Sequence, residues 1–280
     1  MFSKSCLDIW KEESQQLGIV TFCKDLDVAL GSSGVPVGQI TEFCGPPGSG
    51  KTQLCIQLSV STQIPAELGG LGGKTMFFDT NFGFTPQRLE EMATGCVQHC
   101  QKLVSVHRKG LAYAIRDFTV DKLMDGVYYK HIQQCSELLD GINSLERLLR
   151  AEEKIRLVVL DSMSYIIRNN IENTMERIRI GYQILTKLHA LANQYKCAVI
   201  ITNDVTTRFN PNDPSSSMVV PALGESHSHK INQRIILGPS SNRDDAPGTI
   251  LASIGKSLLR PSATVKFHIT EAGIRRFRKK

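Results

Sequence analysis

The chain has 280 residues, of which 41% are hydrophobic, and its mean hydropathy is −0.13. These values are typical of a soluble globular protein with a sizeable core. No apolar run approaches the roughly eighteen residues that a membrane span needs, so neither a membrane-spanning helix nor a membrane partner is predicted. A net charge of +6 and an isoelectric point near 8.9 allow a polyanionic partner without requiring one.

The cysteines give no sign of a disulfide framework or a zinc site. None of the eight forms a C-x-x-C pair, and several lie within apolar runs, where a free thiol behaves as a small core residue. The cluster Cys96-x-x-His99-Cys100 lacks a second half that would complete a zinc site. Because no signal peptide is recognisable, the sequence predicts an intracellular protein in a reducing compartment.

Strands and helices alternate along most of the chain. The predicted elements, in chain order, are a helix within 1–20, a turn-rich lead-in over 26–38, a strand over 40–44, a helix from about 51, a strand over 75–79, a helix over 85–104, a short strand over 127–129, a helix over 136–150, a strand over 155–161, a helix over 173–195 and a strand over 198–203. After 230 the helices stop, and strands are predicted over 231–237, 249–254 and 264–269.

This alternation predicts an α/β fold with a mostly parallel central sheet. Continuous apolar strands separated by helices indicate a parallel sheet that is covered on both faces. The last three strands are joined by short turns, and they are predicted to be antiparallel at one edge of the sheet. Because no repeat and no domain linker is evident, residues 1–280 are predicted to form one domain, with a helix and lead-in over 1–38 and a basic tail over 273–280.

One stretch fits the phosphate-loop pattern G-x-x-x-x-G-K-[ST], namely Gly45-Pro46-Pro47-Gly48-Ser49-Gly50-Lys51-Thr52. Its glycines allow successive N–H groups to turn toward a polyphosphate, at a helix N-terminus whose partial positive charge favours an anion. Lys51 can reach the β- and γ-phosphates, and the Thr52 hydroxyl can bind Mg²⁺. A predicted strand precedes the pattern and a predicted helix follows it, so the sequence predicts a site for ATP and Mg²⁺.

Polar residues follow three of the predicted strands, as Asp79-Thr80-Asn81, Asp161-Ser162 and Thr202-Asn203-Asp204. In a parallel sheet, ligands bind at the carboxyl ends of the strands. Asp161 follows four apolar residues, which is the Walker B arrangement whose carboxylate supports Mg²⁺. An apolar run that ends in Asp is common in structural strands, but its place downstream of a phosphate loop favours the metal role.

These motifs resemble those of a known family. The run over 41–55, together with Phe78-Asp79-Thr80, Leu160-Asp161-Ser162 and Ile201-Thr202-Asn203, resembles the ATPase core of the RecA-like recombinases of eukaryotes and archaea. Further stretches resemble one branch, the third or C paralogue of the eukaryotic strand-exchange recombinase; they are 63–65, 69–70, 117–119, 128–129 and 220–226. The resemblance covers nearly the whole chain. It does not include the small helical N-terminal domain that family members usually carry.

The resemblance implies DNA binding through two loops that follow the central strands, at about 168–179 and 205–228. Candidate phosphate contacts within or beside them are Arg168, Arg177, Arg179, Arg208 and Lys230. The second loop is long and rich in Asn, Asp, Pro and Ser, as is typical of a segment that becomes ordered on binding. Alternatively, these charges lie solvated on the surface of a helix and a loop.

The resemblance also implies further nucleotide contacts. It extends the nucleotide-binding run to Gln53 and places Arg88 against the adenine, a role that a planar guanidinium suits. Lys256 corresponds to the family's nucleotide cap at the interface between protomers. A lysine there could reach the γ-phosphate bound by a neighbour.

Two positions depart from the family pattern. Asn81 replaces a glutamate that activates the attacking water, and an amide cannot accept the proton. Asp204 replaces a glutamine that senses the γ-phosphate. One hypothesis is a site that binds ATP as a structural clamp and hydrolyses it slowly. The other is that Asp204 has taken over activation of the water.

The resemblance therefore implies an ATP-binding recombinase paralogue in homologous-recombination repair. It would assemble with related subunits and bind single-stranded or branched DNA to assist a recombinase filament, with weak DNA-dependent ATP hydrolysis, in the nucleus. The alternatives are a fully active DNA-dependent ATPase or strand-exchange recombinase, and a scaffold subunit that nucleotide only stabilises. The tail over 273–280 is interpreted either as a nuclear-import signal or as a solvated end.

Overall fold

The structure, a computed structural model, describes residues 4–14, 18–31, 33–107, 109–151, 154–210, 213–224, 226–242, 245–258 and 260–277. The helices are α1 (Cys6–Ser14), α2 (Lys24–Leu30), α3 (Lys51–Ser61), α4 (Pro86–His107), α5 (Val120–Asp125), α6 (Cys135–Arg150), α7 (Met163–Asn170) and α8 (Thr174–Tyr195). The strands are β1 (Gly18–Ile19), β2 (Val35–Pro36), β3 (Ile40–Cys44), β4 (Lys74–Asp79), β5 (Val127–His131), β6 (Ile155–Asp161), β7 (Ala198–Asn203), β8 (Val205–Asn210), β9 (Asp213–Pro221), β10 (Gln233–Pro239), β11 (Thr249–Lys256), β12 (Thr264–Thr270) and β13 (Gly273–Arg276).

A mostly parallel sheet forms the centre of the fold. Within the described residues it has nine strands in the order β13-β12-β11-β10-β3-β7-β6-β4-β5. The six strands from β10 to β5 are parallel to one another, and β11, β12 and β13 continue the sheet in antiparallel fashion from β10. The predicted fold class is therefore confirmed. The first of the late strands, β10, is antiparallel to β11 as predicted, and on its other side it pairs in parallel with β3.

The hydrophobic core lies on both faces of this sheet, because successive side chains of a strand point to opposite faces. On β6, Leu157 and Val159 belong to the cluster that includes residues of α3, α4 and α5. Val158 and Leu160 belong to the cluster that includes residues of α6, α7 and α8. None of the four is more than 1% exposed. Burial on both faces explains why the central strands are continuously apolar.

Several segments differ from the prediction. The lead-in over 26–38 was predicted as turns, but α2 begins at Lys24 and β2 pairs with β1, because burial of Leu26 and Leu30 stabilises a short helix despite the nearby glycines. The second predicted loop contains the antiparallel hairpin of β8 and β9, whose β-branched residues favour extended pairing. The first predicted loop, 168–179, is mostly helical: it contains the end of α7 and the first residues of α8, and only 171–173 form the corner between them.

Candidate nucleotide site

The phosphate loop connects β3 to α3 at the carboxyl end of the parallel strands. Its backbone requires glycine at two positions: Gly48 has φ +79° and Gly50 has φ +89°. A Cβ added at Gly50 would also lie 2.7 Å from Cδ1 of Ile269. The N–H of Gly45 donates to the carbonyl of Asn203 at 3.2 Å, which fixes the start of the loop to the end of β7. The sequence thus forms a rigid loop whose N–H groups are held at the N-terminus of α3.

The residues of this loop fit a bound polyphosphate. The Oγ of Ser49 is buried and has no hydrogen-bond partner within the described residues. A buried hydroxyl without a partner is costly unless a ligand supplies one. Beside the loop lies a cleft of about 520 Å³, lined by residues of the loop and of the β10–β11 and β12 regions, including Pro47, Thr249 and Ile269.

Lys51 is fixed by acceptors that surround its ammonium group. Its Nζ donates to the carbonyls of Gly45 at 2.7 Å and Pro46 at 3.2 Å, and it lies 3.0 Å from Oδ1 of Asp204. The side chain of Lys51 is only 10% exposed. The ammonium group is therefore held at the loop, where it can pair with a phosphate.

Thr52 and Asp161 form the metal-binding half of the candidate site. The Thr52 hydroxyl donates to Oδ2 of Asp161 at 2.5 Å, and the Thr202 hydroxyl donates to Oδ1 at 2.5 Å. Burial raises the pKa of the Asp161 carboxyl above its usual value, while the hydrogen bonds from Thr202 and Thr52 act in the opposite direction. A hydroxyl beside a buried carboxylate is a donor set that suits Mg²⁺.

Asn81 lies in a turn that Asp79 organises. The Asp79 carboxylate accepts the N–H groups of Asn81, Gly83 and Phe84 and the hydroxyl of Tyr129, at 3.1 to 3.3 Å. The Oδ1 of Asn81 accepts the N–H of Gly83 at 3.1 Å. The amide oxygen of the exposed Asn81 therefore stabilises its own turn. A Cβ added at Gly83 would lie 3.3 Å from Oγ1 of Thr52, so this turn lies against the metal-binding half.

Asp204 follows β7 and contacts the phosphate loop. In addition to its ion pair with Lys51, its Oδ2 accepts the hydroxyl of Ser164 at 3.1 Å, and its N–H donates to the same hydroxyl oxygen at 3.0 Å. The Oγ atoms of Ser162 and Ser164 lie 2.8 Å apart and are both buried. The carboxylate of Asp204 is thus anchored between the phosphate loop and the start of α7.

Arg88 and Gln53 contact each other. The Nε of Arg88 donates to Oε1 of Gln53 at 2.7 Å, and its terminal nitrogens contact Glu91 and the carbonyls of Thr270 and Glu271. These hydrogen bonds lie at the edge of the guanidinium group, whereas stacking uses its face. The predicted contact of Arg88 with adenine therefore remains compatible with this arrangement.

Lys256 and Lys230 are engaged within the chain. The Nζ of Lys256 donates to the carbonyls of Ser228 and Ile231, both at 2.7 Å. The Nζ of Lys230 lies 5.0 Å from the centre of the Tyr182 ring. Both lysines thus stabilise the segment that enters β10, and their predicted contacts with nucleotide or DNA remain predictions.

The predicted DNA-contacting arginines divide into two groups. Arg168 is exposed, and so is Arg179, which lies 3.6 Å from Glu176. Arg177 instead donates to the carbonyls of Ile171 at 2.6 Å and Arg168 at 3.3 Å, so it fixes the corner between α7 and α8. The backbone of Arg208 lies in β8, and its side chain is outside what the structure describes.

The basic tail and the cysteine cluster have structural contacts. Residues 273–276 form β13, in which Arg276 pairs with Asp25 at 2.7 Å, so the solvated end begins later than predicted, and 278–280 lie outside the described residues.

Cys96 and Cys100 are buried in α4. In the described part of the chain no cluster of three His, Cys, Asp or Glu residues could hold a metal ion, and no helix is long and apolar enough to cross a membrane.

Three residues of the site were not predicted from the sequence: Ser164, Tyr129 and Gly83. Ser164 follows the Asp161-Ser162 strand end by two residues, so its position in the first turn of α7 offered a weak signal. Tyr129 belongs to the site through its hydrogen bond to Asp79, and Gly83 through its position beside Thr52. Sequence spacing does not reveal such contacts.

Comparison with known proteins agrees with the fold. The family model described as Rad51 matches residues 12–276. The DNA repair protein RAD51 homolog 3 of Cricetulus griseus is 34% identical over 97% of this chain and 72% of that protein. Its counterpart in Dictyostelium discoideum is 35% identical over 78% of this chain and 56% of that protein. The human DNA repair protein RAD51 homolog 2 is 32% identical over 89% of this chain and 66% of that protein.

Proposed function

Because the chain belongs to the Rad51 family, we propose that it is an ATP-binding recombinase paralogue that acts in homologous-recombination DNA repair. The observation that carries this proposal is that Lys51, Thr52 and Asp161 lie together at the carboxyl ends of the central parallel strands. Lys51 would hold the β- and γ-phosphates, and Thr52 with Asp161 would hold Mg²⁺. When bound, Mg²⁺ neutralises phosphate charge.

The proposal includes slow hydrolysis. Asn81 cannot accept a proton from water, and its amide oxygen already accepts the N–H of Gly83. Both carboxylate oxygens of Asp204 already have partners, in Lys51 and Ser164. The two positions from which a base would act thus offer little capacity to activate water. This favours ATP as an assembly clamp over relocation of the base to Asp204.

The chain is proposed to work with related paralogue subunits on DNA, in the nucleus. The names of its relatives describe DNA repair proteins, which supports this setting. The exposed Arg168 and Arg179 supply positive charge at the α7–α8 corner, and Tyr165 on α7 and Tyr182 on α8 are exposed at 45% and 48%. Basic side chains beside exposed aromatic rings are typical of surfaces that bind single-stranded nucleic acid.

A DNA-binding titration tests the proposal. Binding of a labelled single-stranded oligonucleotide would be measured by fluorescence anisotropy at several salt concentrations, with Mg²⁺ and ATP present. The double variant Arg168→Gln with Arg179→Gln should weaken binding for every sequence, and its salt slope should fall by about 1.4, since each lost phosphate contact on a single strand removes about 0.7.

Lys122→Gln is the matched control, because Lys122 is an exposed lysine on α5, away from the α7–α8 corner. It should leave the salt slope unchanged. An unchanged slope in the double arginine variant would contradict DNA binding at this corner. Co-purification of the chain with related paralogue subunits, stronger with ATP than without, tests the assembly role separately.

A further inference from the structure

The ammonium group of Lys51 is shared between the phosphate loop and a carboxylate. A lysine has three N–H donors. Three acceptors surround Nζ: the carbonyls of Gly45 and Pro46, and Oδ1 of Asp204 at 3.0 Å. The only charged acceptor among them is Asp204, so Asp204 is the internal counter-ion of this lysine in the described part of the chain.

The carboxylate of Asp204 is held in place from several sides. Ser164 donates to Oδ2, and the backbone N–H of Asp204 donates back to the Ser164 hydroxyl. Ser164 is fully buried and lies beside the buried Ser162, which caps α7. The side chain of Asp204 is 31% exposed, so water partly screens its negative charge. Its Oδ1 nevertheless lies toward the phosphate loop, 3.0 Å from Nζ of Lys51.

The fixed negative charge of Asp204 affects the binding of ATP and the binding of ADP differently. The phosphate-loop lysine reaches the β- and γ-phosphates of a bound nucleotide. The terminal phosphate of ATP would compete with Asp204 for Lys51 and would meet a second negative charge, whereas ADP brings one phosphate fewer. Like charges at short range are unfavourable, and the effect is greatest where water is excluded.

We infer that Asp204 sets the preference of this site between a nucleoside diphosphate and a triphosphate, and that it shifts this preference toward ADP. The inference rests on the proposed function, since it concerns the same nucleotide site. It assigns Asp204 a role in nucleotide selection, without any part in activating water. It also predicts that ATP binds only when its terminal phosphate separates Asp204 from Lys51.

The test compares dissociation constants for Mg²⁺–ADP and for a non-hydrolysable Mg²⁺–ATP analogue, measured by calorimetry. The wild-type chain should bind ADP at least as tightly as the analogue. Asp204→Asn removes the charge at nearly constant size, and it should tighten binding of the analogue by about tenfold more than binding of ADP, which is the contribution of one charge-assisted contact. Asp204→Glu keeps the charge and should keep the preference for ADP.

Asp140→Asn is the matched control, because it makes the same chemical change at an exposed position on α6 and should leave the ratio of the two constants unchanged. Thermal melting of each variant checks that it is folded. Equal tightening of both ligands in Asp204→Asn would show a general counter-ion and overturn the inference.

The same measurements separate a failure of the proposed function from a failure of the inference about Asp204. A wild-type chain that binds neither nucleotide contradicts ATP binding. The inference is then decided by Asp204→Asn, in which the analogue must bind more tightly than ADP. An Asp204→Asn variant that also binds neither nucleotide overturns the inference.

Discussion

The two halves of the candidate nucleotide site differ in how well they suit ATP hydrolysis. The loop half, from β3, α3 and β6, brings together a lysine, a threonine hydroxyl and a buried aspartate. The other half, from the ends of β4 and β7, presents the amide of Asn81 and the paired carboxylate of Asp204. Because different strands carry the two halves, one half can change while the other is kept.

The largest expected effect comes from restoring a base in the second half. Asn81→Glu places a carboxylate where the amide lies, and it should raise the rate of phosphate release by about a hundredfold or more, the range of general base catalysis. Asn81→Gln lengthens the side chain by the same amount but cannot take a proton. Phosphate release should stay at the wild-type rate in this control, and an equal rise in both variants would contradict the role assigned to position 81.

Removing the charge of the loop half should abolish most nucleotide binding. Lys51→Ala loses the charge-assisted contacts to phosphate and should weaken binding of a fluorescent ADP by about tenfold to a hundredfold. Lys102→Ala removes an exposed lysine on α4 and should bind as the wild type does. Since Lys51 also contacts two loop carbonyls, circular dichroism melting of both variants must show a folded protein. Unchanged affinity in a folded Lys51→Ala variant would show that the phosphate loop does not bind the nucleotide.

The metal-binding half is tested by the dependence of binding on Mg²⁺. Chelation of Mg²⁺ should weaken ATP binding by the wild-type chain by about tenfold, the scale of one charge-assisted contact. Asp161→Asn keeps the shape but removes the carboxylate, so its affinity should be low and nearly the same with and without Mg²⁺. A variant that keeps the full Mg²⁺ response would show that the ion is held elsewhere.

The smallest effect concerns the pH dependence of stability and arises in the segment that leads into β10. His227 is buried, its Nδ1 has no partner among the described residues, and burial lowers the pKa of its imidazole, against the opposing charge of Glu42. A base whose pKa is lower in the folded state stabilises the fold above its unfolded pKa of 6.5 and loses that contribution as the pH falls through the folded value.

The free energy of unfolding should therefore fall by about 1 kcal/mol between pH 7 and pH 5, beyond the change due to other groups. His227→Gln should reduce this pH dependence, as measured by urea denaturation at the two pH values. His229→Gln, which alters an exposed histidine two residues away, should retain the wild-type dependence. The same loss in both variants would argue against a buried neutral His227.

The sequence was sufficient for the parts that local pattern determines. The phosphate loop and Asp161 were predicted from spacing, because a glycine-rich turn and a carboxylate after an apolar strand are properties of short segments. The parallel sheet followed from continuous apolar strands, which only burial on both faces explains. The family was found from the same motifs.

The pairing of Lys51 with Asp204 could not be predicted in this way. The two residues are far apart in the sequence, and their contact depends on β3 and β7 being neighbours in the sheet and on Ser164 anchoring the carboxylate. Similarly, β8 and β9 were missed because polar composition suggested a loop, whereas pairing between the two strands decides the structure. Contacts distant in sequence are set by the fold and not by local composition.

The most direct test of the central claim measures ATP binding and phosphate release on the same purified chain, with Mg²⁺, in the presence and absence of single-stranded DNA. Binding that requires Mg²⁺ and Lys51, accompanied by negligible release under both conditions, is the expected result, because Asn81 cannot activate water and Asp204 is paired. Rapid release stimulated by DNA would contradict the account and show that another group acts as the base.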